Sequence, residues 1–143
     1  GTGITHSEFN ANNDSYCKLL QIWLFPNKKN VKPRYDQVKV STIAKKNKLY
    51  QILSPNANDQ GVWIHQDAWI HMLDADQGQS FHYELHSPDH GVYMIVIEGE
   101  VEVGDQTLSR RDAIGVWETQ KVEIKTKTDT ELFLVQVPML QLT

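Results

Sequence analysis

VYMIVIEGEVEVGDQTLSRRDAIGVW, residues 92–117, decides the fold. Val92–Ile97 is an unbroken apolar run, the pattern of a strand buried on both faces. Glu98-Gly99 turns the chain, and Glu100–Val103 returns with alternating charged and apolar residues. Gly104-Asp105 opens a second hairpin into Gln106–Ser109, and Asp112–Trp117 follows as another short strand. No helical period fits this stretch. Charge placed on the Val92, Met94 and Val96 face, or on its alternates, would enter the core.

The same reading extends to either side. In Gln79–His86, Phe81, Tyr83 and Leu85 share one face, while His82, Glu84 and His86 share the other. In Lys121–Lys127 the charges alternate with Val122, Ile124 and Thr126, as in a half-exposed strand. Further strands are expected at Lys18–Phe25, Tyr35–Thr42, Leu49–Leu53, Val62–His65, Ala68–Leu73 and Glu131–Val137. Asn10–Ser15, Asn56–Gly61, Asp74–Gly78 and Ser87–Gly91 are turn-rich. Lys18–Phe25 is apolar on both faces, which implies burial on both sides and a packed Trp23. Many short strands without a helix or a repeat indicate an all-β sandwich or barrel.

A chain of 143 residues can bury roughly 68–70% of its unfolded surface in one domain. Its formal net charge of −4 does not fit direct binding to nucleic acid, which needs a basic footprint. The lysines of Pro26–Pro33 read as a solvated linker. No apolar run approaches the roughly 20 residues that span a bilayer. One cysteine, Cys17, allows no internal disulfide and suggests a reducing, cytoplasmic setting. It has no adjacent base that would make it a nucleophile.

The chemistry gathers at Gly1–Glu8, GTGITHSE. In an extended segment His6 and Glu8 look the same way, with Ser7 opposite. An imidazole and a carboxylate on one face can form half of an iron, manganese, zinc or copper site. Taken alone, the same pattern also suits an ordinary polar surface pair.

GTGITHSEFN, LLQIWLFPNKKNVKPRYDQ and GVWIHQDAWI together closely resemble the pirin family, from Gly1 to about Met139. The resemblance implies a cupin fold, a double-stranded β-helix or jelly roll. Residues 1–33 would be terminal strands of a first cupin plus linker, and 34–143 a C-terminal cupin barrel. It implies that His6 and Glu8 ligate Fe(II) or another divalent metal, with two further histidines in an earlier motif that precedes this chain. Some pirins resemble quercetin 2,3-dioxygenase, which would make Glu8 a catalytic ligand and proton acceptor and a flavonol the small-molecule partner. Others act as binding or regulatory proteins. With two ligands beside a free terminus, this chain alone is expected to hold no metal and to be inactive. Strand material at residues 1–25 without its own barrel is expected to pair with a second copy or fold back on the C-terminal barrel.

Residues 92–117 also fit the cupin pattern of two glycine-closed hairpins. Counting back from Gly99 puts that pattern's first ligand positions at His86, Pro88 and Val92, of which one could bind. The later histidine, due near Trp117 or Glu118, is missing. The second barrel is therefore expected to have lost its metal centre. His82, Glu84 and His86, with His90 nearby, form a rival set, but ligands on one strand are nearly collinear and zinc prefers separate elements. They read as a solvent-facing strand, and His65 and His71 as hydrogen-bonded structural residues.

Overall fold

A computed structural model describes residues 2–139; Gly1, the first of the paired glycines, and residues 140–143 lie outside it. Ten strands are assigned among the described residues. They are β1 (Lys48–Ser54), β2 (Val62–Trp63), β3 (Trp69–Ala75), β4 (Ser80–Glu84) and β5 (His90–Glu98). β6 (Val101–Val103), β7 (Gln106–Leu108), β8 (Ala113–Val116), β9 (Lys121–Thr126) and β10 (Thr130–Pro138) complete the set. A six-stranded sheet runs β2-β1-β3-β10-β5-β8, and a four-stranded sheet runs β4-β9-β6-β7. All pairings are antiparallel except β1 with β2.

The apolar run of residues 92–97 forms the middle of β5, between β10 and β8. Val92, Met94 and Val96 point inward and are fully buried, as the pattern required. They meet Leu132 and Leu134 of β10, Leu73 of β3 and, from the other sheet, Tyr83, Val101 and Ile124. Lys121–Thr126 alternates as expected, with Val122, Ile124 and Thr126 buried. At the β5–β6 turn Gly99 takes φ +89, and an added Cβ would run into the Asp129 carbonyl.

Two expected strands are absent. Lys18–Phe25 joins no ladder, and all its apolar side chains but the half-buried Leu24 face solvent: Leu20 is 50% exposed and Trp23 74% exposed, so Trp23 is not a core residue. Apolar composition marks a segment that can be buried, but a strand forms only where a neighbour takes its backbone hydrogen bonds. Tyr35–Thr42 yields only a 3₁₀ turn at Val40–Thr42.

Residues 25–36 cross the β2 edge of the larger sheet as a strap. Asn27 N–H donates to the His65 carbonyl at 2.7 Å, and Gln66 Nε2 donates to the Phe25 carbonyl at 2.6 Å. The Arg34 guanidinium lies 4.2 Å from the centre of the Trp63 ring and donates to the Trp63 carbonyl. The strap is thus fixed to the barrel, while the residues before it are exposed.

Candidate functional site

His6 and Glu8 do look the same way. His6 Nε2 lies 3.0 Å from Glu8 Oε1, and both side chains are more than half exposed. Two donors on one ion at ligand distances of 2.0–2.2 Å and near right angles would stand about 3 Å apart. The same separation is that of an ordinary hydrogen-bonded or ionic contact between two exposed side chains. Among the described residues no group of three or more His, Cys, Asp or Glu converges on a possible metal position.

The sequence did not reveal how Glu8 is held. Gln21 Nε2 donates to Glu8 Oε1 at 3.0 Å, and Gln21 Oε1 accepts from Trp23 Nε1 at 3.2 Å. The Gln-Ile-Trp run thus orients the carboxylate from a segment 13 residues away. The signal is the spacing of Gln21 and Trp23 on one side of an extended chain, where the sequence reading expects only Trp23, as a core residue.

A second polar cluster lies at one end of the barrel interior. Gln136 of β10 is completely buried, and its Oε1 accepts from the Tyr83 hydroxyl and from His86 Nδ1, each at 3.0 Å. Its Nε2 donates to His90 Nδ1 at 2.9 Å. His90 is buried as well, and its other nitrogen, Nε2, faces Asp67 at 3.4 Å. Tyr83 has one proton, given to Gln136, so His71 Nδ1–H donates to the Tyr83 oxygen across 3.2 Å. The indole of Trp69 stacks on His86 with centroids 3.9 Å apart. Burial, and then the neighbouring His86, lowers the His71 pKa to about 4. Burial alone pushes the Tyr83 hydroxyl up.

This cluster extends the sequence reading. His82, Glu84 and His86 are all exposed as expected, but β4 ends at Glu84, and His86 beyond it also turns its Nδ1 to Gln136. Among the described residues the three join no group that could hold a metal. Pro88 is exposed, and Val92 packs in the core at the glutamate position of the cupin pattern. His71 is hydrogen-bonded as expected. The His65 ring instead meets Trp63 edge-on at 4.9 Å and makes no side-chain hydrogen bond among the described residues.

The family described as the quercetinase C-terminal cupin domain, a pirin-type family, matches residues 51–137. The chain belongs to this family. The pirin-type cupin is 28% identical over 138 residues to quercetin 2,3-dioxygenase of Escherichia coli K12, covering 96% of this chain and 58% of that protein. It is 30% identical over 136 residues to a putative quercetin 2,3-dioxygenase of Zymomonas mobilis, covering 94% of this chain and 57% of the relative. The chain thus spans little more than half the length of these relatives. Among solved structures, YhhW of E. coli superposes with a TM-score of 0.74 at 22% identity, over 85% of this chain and 50% of that one. A structure of the bacterial pirin YhhW in complex with nickel(II) gives 0.71 at 23% identity, over 80% of this chain and 48% of that one. These likenesses establish the cupin fold, and the matched halves agree with a C-terminal cupin.

Proposed function

We propose that this pirin-type cupin forms the C-terminal part of a metal-dependent quercetin 2,3-dioxygenase, with His6 and Glu8 as two of its metal ligands. The carrying observation is the 3.0 Å approach of His6 Nε2 to Glu8 Oε1, with Gln21 fixing the carboxylate. The metal, Fe(II) or another divalent ion, would act as a Lewis acid toward the oxygens of a flavonol and toward O2. Glu8 would take up a proton from a flavonol hydroxyl. Two ligands are too few for a stable centre, so the remaining histidines come from outside this chain, and the chain alone is inactive.

Quercetin turnover under air, with and without added iron, tests this reading. It should be absent for this chain, present in a longer polypeptide with an upstream H-x-H motif, and lost there in His6→Ala. A longer form that holds metal, lacks turnover and retains a protein partner after His6→Ala would favour a regulatory binding role. The exposed side chains Leu19, Leu20 and Ile22 support the companion reading that residues 2–25 pair with a second copy of the chain. Among the described residues no helix is long and apolar enough to cross a membrane, and the single cysteine supports a cytoplasmic setting.

A further inference from the structure

Between the strap, the N-terminal segment and the β2 edge lies a half-open cavity of about 290 Å³. Ile4 and Leu24 line it on one side, Val31 on the strap, and Trp63 and Ile64 on the barrel. The volume is just below the roughly 300 Å³ at which ligand pockets usually begin, enough for a body of one or two fused rings.

Its polar groups are unevenly matched. Arg34 and Asp36 both line the cavity, but they neutralise each other through a 2.7 Å ion pair, and Arg34 is further held by Trp63. Lys32 lines the same cavity and makes no ion pair or side-chain hydrogen bond among the described residues. The His65 ring, wedged edge-on against Trp63, also lines it and has no hydrogen-bond partner there. The space thus joins apolar walls to one unopposed positive charge and one free imidazole.

We infer that this cavity binds a small aromatic carboxylate, its rings against Trp63, Ile64 and Val31 and its carboxylate toward Lys32 and His65. Charge complementarity selects an acid over a neutral analogue, and the apolar walls select an aromatic or similarly flat body over a hydrophilic anion. The strap's anchors to His65, Gln66 and Trp63 hold these walls in place before binding, so little ordering remains to be done. The site uses neither His6 nor Glu8 and needs no metal, so it stands apart from the dioxygenase reading.

Calorimetric titration of the whole chain in EDTA, with 2-naphthoate and its neutral amide, tests the inference. The acid should bind at least about 5-fold more tightly than the amide, the effect of one partly screened ion contact. Lys32→Gln should remove that difference and leave the amide's affinity unchanged. Val31→Trp, which fills the cavity, should abolish binding of both. Equal affinity for acid and amide, no binding of either, or a preference that survives Lys32→Gln would each overturn the assignment. If Val31→Trp fails to fold, the exposed Lys32→Gln variant decides alone. EDTA keeps a failure here distinct from a failure of the metal reading.

Discussion

Gln136 Nε2 donates to His90 Nδ1 at 2.9 Å, both residues fully buried, though 46 positions separate them. Pro138 sits opposite His90 in the β10–β5 register, so the bond spans the end of that ladder. This one amide fixes the protonation pattern around it. Its oxygen demands protons from Tyr83 and His86, and its nitrogen demands a lone pair from His90.

Gln136→Leu is therefore expected to be costly although it places an apolar residue of similar size in the core. Tyr83 and His90 would each lose a buried partner. Unfolding in urea should show a loss of about 2–4 kcal/mol with an unchanged slope. A loss within about 0.5 kcal/mol would mean that water replaces the amide without penalty.

His71 predicts acid sensitivity with a defined sign. Its pKa falls from about 6.5 when unfolded to about 4 when folded, so between these values the unfolded chain binds more protons. Its contribution is complete above about pH 6.5 and is lost as pH falls toward 4. The full loss is at most roughly 3 kcal/mol, less where solvent reaches the ring. His71→Gln should flatten the stability profile in that window, measured by denaturant melts at pH 4.5 and 7.

Val96 has no exposed surface and faces Leu132 across the β5–β10 ladder. Val96→Asp should lower stability by more than about 4 kcal/mol, because the charge has no partner among core side chains. A thermal midpoint unchanged from the parent would contradict the packing of β5.

Metal retention follows from the His6–Glu8 pair. After dialysis this chain should carry far less than one iron per chain. In a longer form that completes the site, His6→Ala should abolish binding. Gln21→Ala should weaken binding about 10–100-fold by releasing Glu8, and His86→Ala should leave it nearly intact. Metal content by plasma emission spectrometry reads all three. Stoichiometric iron in this chain that is lost in His86→Ala would move the centre into the barrel.

Most of the barrel was legible because its strands obey a period of two and its turns carry glycine or aspartate. Lys121–Thr126 emerged within the alternating run Lys121–Lys127, and the hairpins around Gly99 and Gly104 fell where those residues stand. Two things were hidden. Lys18–Phe25 has the composition of a buried strand, but pairing depends on a neighbour that local sequence does not specify. The His71, Tyr83, His86, His90 and Gln136 cluster draws on four strands, β3, β4, β5 and β10, and the turn after β4. His86 is exposed, as its alternation with His82 and Glu84 implies, but nothing in the residues announces that β4 stops at Glu84 and lets its ring reach Gln136.

The strap also governs what the molecule cannot do. β2 pairs with β1 through two residues only, and beyond it lies the open edge of a six-stranded sheet. Asn27 and Arg34 occupy the His65 and Trp63 carbonyls that would otherwise invite a stranger's strand, and the Gln66 side chain ties Phe25 across them. A shortened chain beginning at Asp36 would keep every strand of the barrel and lose this guard. Its weakness would be solubility rather than folding, with copies joining edge to edge into open-ended stacks.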